Sequence, residues 1–174
     1  GITPLDGLMM GTRSGAIDPS ILEYVCKEAN MSVEEVTNVL NKQSGFLGVA
    51  GQADCRDVEA LIAEGNENAK LAYDMYCDRI AKYIAEYYLE LNGKVDSIVF
   101  TAGVGENGSG VRKEVLDRLN PIGIYVNEEI NDKIASFKDI HEGVISTKDS
   151  KVEVRVLPTD EEIMIVRDTY NLTK

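Results

Sequence analysis

The segment Ser97-Ile98-Val99-Phe100-Thr101-Ala102-Gly103-Val104-Gly105-Glu106-Asn107-Gly108 constrains this chain more than any other. An apolar run of strand character empties into a glycine-spaced turn, and a polar, helix-forming segment, 109–119, follows. Glycine is needed where the backbone turns with positive φ or where a ligand comes close, because a Cβ would clash in both cases. In an open α/β sheet, ligands bind beyond the carboxyl ends of strands. The helix behind such a turn offers free N–H groups and a positive dipole end to an anion. In outline this is a nucleotide site.

Two nucleotide readings compete. Gly103, Gly105 and Gly108 spell GxGxxG, the pattern of dinucleotide-binding oxidoreductases. That fold places the turn early in its domain, with an acidic residue about 20 positions on at the end of the next strand. Here the region near Asn127 and Glu129 reads as a loop entering a helix, and the next convincing strand, 152–157, comes much later. A Walker loop is excluded, because Gly-Lys-Ser/Thr does not occur.

A net charge of −12, from 18 basic and 30 acidic residues, argues against general nucleic-acid or acidic-membrane binding, both of which need a basic face. It leaves a nucleotide open, since a few arginines, helix N-termini and a metal ion suffice locally. No apolar run approaches the roughly 20 residues of a membrane span, and no signal-peptide pattern opens the chain. Cys26, Cys55 and Cys77 are widely spaced, lie in helix-like contexts and read as reduced, mostly buried thiols of a cytoplasmic protein. His141 sits in a polar connector and reads as a loop residue. The start, Gly1-Ile2-Thr3-Pro4, lacks methionine and is expected to be cut from a longer chain.

Start and stop signals predict the elements. Asp18-Pro19 opens a helix to about Ala29, and Ser32 with Glu35 forms a capping box for a second, ending near Asn41. Residues 44–52 read as a glycine-spaced loop, and Asp54 caps a helix to Glu64. The longest helix, 66–91, carries a seam of Ala69, Tyr73, Tyr76, Ile80, Tyr83 and Tyr87, either core or subunit interface. A strand, 95–101, precedes the glycine turn and helix 109–119. Residues 127–136 are expected to be helical, 143–146 a short strand and 152–157 a buried strand. Thr159 with Glu162 is expected to cap the last helix. Strands separated by helices give an α/β fold.

Three places could carry chemistry. Arg13 stands among small residues in Met9-Met10-Gly11-Thr12-Arg13-Ser14-Gly15, where its fork of donors suits phosphoryl oxygens. Asp54 and Arg56 follow the glycine-spaced loop, although Asp54 is already explained as a cap. In Pro158-Thr159-Asp160-Glu161-Glu162 a strand ends and a helix begins, and Glu161 is placed to hold Mg²⁺ directly or through water.

Together these motifs resemble the acetate kinases: Met9 to Pro19, Asp54-Cys55-Arg56, Phe100 to Asn107 and Pro158 to Glu162, in that order over essentially the whole chain. The resemblance implies an α/β, ribonuclease H-like lobe of the sugar kinase/Hsp70/actin superfamily, a mixed sheet flanked by helices. Residues 1–174 then correspond to the C-terminal, nucleotide-binding lobe. By the same resemblance Arg13 contacts the transferring phosphoryl group. Asp54, Cys55, Arg56, Gly103, Val104, Gly105, Glu106 and Asn107 match the ATP/ADP-binding segments, and Glu161 matches the carboxylate associated with Mg²⁺. Ala102 stands where the family commonly has glycine, Cys55 where it has phenylalanine and Asp160 where it has asparagine. The other lobe, with the catalytic histidine and most acetate contacts, has no counterpart here. The implied activity is reversible phosphoryl transfer from ATP to acetate, with the isolated lobe inactive and the intact protein a homodimer. A dinucleotide-dependent oxidoreductase domain and a non-catalytic dimerising domain are the alternatives.

Overall fold

Helix-start chemistry sets out the first part of the chain. In the computed structural model, which describes residues 2–174 apart from the side chain of Glu161, helices α1 (Ser20–Glu28), α2 (Val33–Lys42), α3 (Gly45–Ala50), α4 (Cys55–Ala63) and α5 (Glu67–Glu90) follow one another. Asp18 accepts the Ser20 N–H at 2.9 Å. The capping box of α2 forms as expected: Ser32 Oγ accepts the Glu35 N–H at 3.2 Å, and Glu35 Oε2 accepts the Ser32 N–H at 2.7 Å. Asn66 accepts the Ala69 N–H at 3.0 Å at the start of α5.

The chain divides into two compact units, Gly1–Ile84 and Ala85–Lys174. In the first, Val36, Phe46, Val58, Ala69, Ala72, Tyr73, Cys77 and Ala81 are buried. The rings of Phe46 and Tyr76 lie 5.0 Å apart at 56°, a tilted arrangement of the favoured kind. The Tyr73 hydroxyl donates to Glu59 at 2.9 Å, tying α5 to α4. The expected tyrosine seam is only partly internal. Small residues make most of the buried stripe of α5, because they let neighbouring backbone approach, and Tyr87 is 62% exposed. Residues 44–52 are not a loop. Gly45–Ala50 form α3, with Gly45 at φ 63° opening it and Gly51 at φ 77° closing it.

The second unit holds β1 (Ser97–Phe100), α6 (Ala102–Asn107), α7 (Ser109–Asp117), a 3₁₀ turn (Asn120–Ile122), α8 (Glu128–Asn131), β2 (Gly143–Val144), β3 (Glu153–Val156) and α9 (Glu161–Leu172). The sheet is mixed, in order β1-β3-β2, with β1 parallel and β2 antiparallel to β3. Strand β3 was expected to be buried throughout. It alternates instead, with Val154 and Val156 inside and Glu153 and Arg155 outside. Each buried valine contributes about 1.5–3 kcal/mol. On α7, Val111, Val115 and Leu116 are buried. The helix expected over 127–136 is a single turn, because the Ala135 N–H is drawn to the Ile140 carbonyl.

The last helix is capped one residue later than expected. Asp160 Oδ1 accepts the Ile163 N–H at 2.9 Å, and Thr159 is engaged elsewhere. Among the described residues no helix is long and apolar enough to cross a membrane.

Candidate active site

Arg13 sits in a turn built around glycine. The Met10 N–H donates to the Arg13 carbonyl at 3.0 Å. The N–H groups of Ser44, Phe46 and Leu47 then donate to the carbonyls of Thr12, Met10 and Gly11 at 2.9, 2.9 and 2.8 Å. The amino end of α3 thus grips the arginine turn. A Cβ on Gly45 would stand 2.0 Å from the Met10 carbonyl oxygen, and one on Gly11 would stand 2.5 Å from that of Ala53. The contact at Gly11 also sets the turn beside the residue that precedes Asp54. Gly11 and Gly45 were missed as site-forming positions. Their signal was present in the glycine spacing but read as loop.

The Arg13 guanidinium borders an open cavity of about 750 Å³ lined also by Thr12, Glu34, Thr37, Asn38 and Lys42. Its one described side-chain contact is Nη1 to the Met10 sulfur at 3.8 Å. No carboxylate pairs with it among the described residues, so its fork is free for an anion.

Asp54 and Arg56 occupy each other. Asp54 Oδ1 accepts the Arg56 N–H at 2.9 Å and Nε at 3.0 Å, and Oδ2 accepts Nη2 at 2.6 Å. The Arg56 side-chain hydrogen bond, followed by its backbone N–H, holds the Asp54 carboxyl down at about 2. The pair is open to water and therefore weak, so a phosphate could draw Arg56 away. Between them, burial pushes the Cys55 thiol up to about 12, with Glu59 and Asp54 adding to the shift. Cys26, Cys55 and Cys77 are all free thiols in helices, but only Cys77 is fully buried.

In the second unit the expected glycine turn is a helix. Residues 102–107 form α6 directly after β1, and Ala102, not a glycine, takes the positive φ of 58°. The chain turns one residue earlier than the glycine spacing suggests. The glycines instead answer to packing: a Cβ on Gly105 would meet the Phe100 carbonyl carbon at 3.1 Å, and one on Gly108 the Val104 oxygen at 2.8 Å. Gly103 is different, since a Cβ there meets nothing within 4 Å. Gly103 and Val104 are exposed, whereas Glu106 is buried.

The Glu106 carboxylate faces the loop before α9. Its Oε1 accepts the Thr159 N–H at 3.0 Å and the Thr159 hydroxyl at 3.1 Å. Asn107 Oδ1 accepts the Ser136 N–H at 2.9 Å and hydroxyl at 2.7 Å. The glycine motif and the start of α9, far apart in sequence, are thereby joined.

The side chain of Glu161 lies outside the described residues, although its backbone opens α9. Among the described residues no three His, Cys, Asp or Glu converge on a common point, and Asp160 is spent on its helix cap. These donors make no self-sufficient cation cage. A Mg²⁺ carried by nucleotide phosphates would need only one or two protein carboxylates here. His141 Nδ1 lies 3.3 Å from the Ala135 carbonyl and remains a loop residue.

A sequence model of the acetokinase family matches residues 1–167. The acetate kinase of Carboxydothermus hydrogenoformans is 49% identical over 172 residues, covering 99% of this chain and 42% of its own length. That of Mycoplasmopsis pulmonis is 50% identical over 174 residues, covering 99% and 43%. Among solved structures, the acetate kinase of Porphyromonas gingivalis superposes with a TM-score of 0.90 at 43% identity, covering all of this chain and 43% of that one. A propionate kinase from Francisella tularensis gives 0.88 at 43% identity, covering 97% and 41%.

The fold is therefore the α/β architecture of the sugar kinase/Hsp70/actin superfamily, a mixed sheet flanked by helices. Within that class, the chain belongs to the acetokinase family. It spans less than half the length of the relatives it matches.

Proposed function

We infer that this chain is the C-terminal, nucleotide-binding lobe of a kinase that transfers the γ-phosphoryl group of ATP to acetate, reversibly giving acetyl phosphate and ADP. The observation that carries the reading is the exposed face of α6 at the carboxyl end of β1, with open space over Gly103. A purine nucleotide resting there meets backbone and the Val104 side chain. Gly105, Glu106 and Asn107 shape the segment from within, and Asp54, Cys55 and Arg56 form the second nucleotide segment. Family membership supports the same assignment.

Phosphoryl transfer needs positioning and charge neutralisation more than covalent chemistry. Arg13 supplies a pH-independent cation to the equatorial oxygens of the transferring group. Arg56, released from Asp54, neutralises further phosphate charge. Glu161 would be the protein carboxylate for a Mg²⁺ that arrives with the nucleotide, and the ion would supply charge neutralisation at the phosphates. Acetate needs contacts beyond these residues, so the complete protein is the catalyst. We place it in the cytoplasm as a homodimer. The exposed Tyr87, Leu89 and Leu91 at the end of α5 support self-association.

The dinucleotide alternative loses its motif, because Gly103 and Gly105 lie within α6 and Gly108 is the cap between α6 and α7. Calorimetric titration of the chain with MgADP and, separately, NAD tests the reading. Saturable binding of MgADP, weakened in Glu161→Ala, is expected. NAD binding tighter than MgADP would overturn it, as would an ADP-soaked crystal with α6 bare.

A further inference from the structure

The most heavily bonded side chain in the second unit is one that no motif contains. Arg112, on α7, is fully buried. Its Nε donates to Asn131 Oδ1 at 2.7 Å. Nη1 donates to the carbonyls of Gly105 at 2.9 Å and Glu106 at 2.8 Å, and Nη2 to those of Asn131 at 2.8 Å and Ile134 at 2.9 Å. All five N–H donors of the guanidinium are used, and four of the acceptors are backbone carbonyls. None is a carboxylate.

Burial disfavours the charge and lowers the pKa of Arg112, partly offset by Asp132 nearby. A buried cation is expensive unless its donors are met. Here three of the carbonyls stand at the carboxyl ends of two short helices, α6 and α8, where dipoles favour a cation, and the fourth belongs to Ile134 in the segment after α8. A helix as short as α6, entered through a left-handed alanine at Ala102, does not hold its shape alone. The arginine grips that helix near its carboxyl end by two successive carbonyls, while Gly103 and Val104 stay exposed. Asn131 is fully buried with it and donates to the Ser109 carbonyl at 2.9 Å, extending the grip to the start of α7.

We propose that Arg112 is the positioning residue of the nucleotide site: it never touches the ligand, and it sets nucleotide affinity by fixing the carboxyl end of α6. The proposal rests on the assignment of α6 to the nucleotide. Lysine has one point charge and cannot reach four carbonyls and an amide at once.

The test uses the full-length protein with Arg112→Lys, Asn131→Ala and Gly103→Val, measured for KM of ATP, KM of acetate, Kd of MgADP by calorimetry, and Tm. Arg112→Lys is expected to raise both the KM of ATP and the Kd of MgADP by about tenfold or more. The KM of acetate stays within about twofold, at temperatures well below the variant's Tm. Asn131→Ala, which frees the guanidinium Nε, gives a smaller shift in the same direction and decides the question if Arg112→Lys does not fold. Gly103→Val reports on the underlying assignment, since Gly103 is exposed and a Cβ there meets nothing within 4 Å. Nucleotide affinity lost in Gly103→Val and kept in a folded Arg112→Lys overturns the proposal and leaves the assignment standing. Affinity kept in Gly103→Val removes the assignment, and the proposal with it. A loss of Tm in Arg112→Lys with both KM values unmoved makes Arg112 structural only, and also overturns the proposal.

Discussion

Single residues in this chain divide between those that hold the backbone and those left free for a ligand. Asp54 and Arg56 neutralise each other, Glu106 is bonded to Thr159, and Asn107 to Ser136. Among the described residues Arg13 has no such partner. A cation that borders a cavity without being paired to a described carboxylate is the group available to a developing phosphoryl charge. Arg13→Ala in the full-length protein is expected to lower kcat by roughly 10³-fold or more, as other phosphoryl-stabilising arginines do. Stopped-flow or coupled assays at saturating ATP and acetate measure it, and a kcat within a factor of a few of the parent would make Arg13 a bystander. Acid does not release Arg56 at working pH. Asp54 has a depressed folded pKa of about 2, so the pair's contribution is present above the ordinary carboxyl value of 3.8 and is lost only as pH falls through about 2.

At the scale of elements, short helices do the positioning. Helix α3 spends its amino end on the Arg13 turn, and α6 is clamped at its carboxyl end by Arg112. Gly45 is the position where the first of these is most exposed to damage. It combines a φ of 63° with a Cβ site 2.0 Å from the Met10 oxygen. Gly45→Ala is therefore expected to cost at least about 2 kcal/mol, read as a lower denaturant midpoint, and to reduce turnover through Arg13. Gly51→Ala is the control: it shares a positive φ of 77° but has open space, so it costs only about 1–2 kcal/mol. Equal losses in the two variants would show that steric contact with the arginine turn is irrelevant.

For the whole molecule, the governing fact is coverage: this chain matches 42% of the length of its C. hydrogenoformans relative. Charge contacts to phosphate are strong only where water is excluded, and Arg13 borders a cavity that is open. The 174-residue chain alone is expected to form no acetyl phosphate from MgATP and acetate. The hydroxamate assay checks this, and product above the enzyme-free blank would contradict it.

Much of this was readable from residue types alone. The capping signals of α2 and α4, the run of α5 and strands β1 and β3 follow from local preferences, which act over a few residues and leave their mark in the order of amino acids. Family membership was legible for a different reason: Met9 to Pro19 and Phe100 to Asn107 are specific strings that resemble those of the acetate kinases. Three-dimensional packing alone decided the rest. Thr159 could cap α9 or bond Glu106, and only the nearness of Glu106 settles the choice in favour of Asp160 as the cap. The glycines at 103, 105 and 108 could mark a turn or a packed helix, and the approach of the Phe100 backbone selects the helix. Arg112 looks like any helix-surface arginine in the sequence. Its burial depends on carbonyls from residues up to 22 positions away, and no local pattern encodes a partner that the chain reaches only once folded.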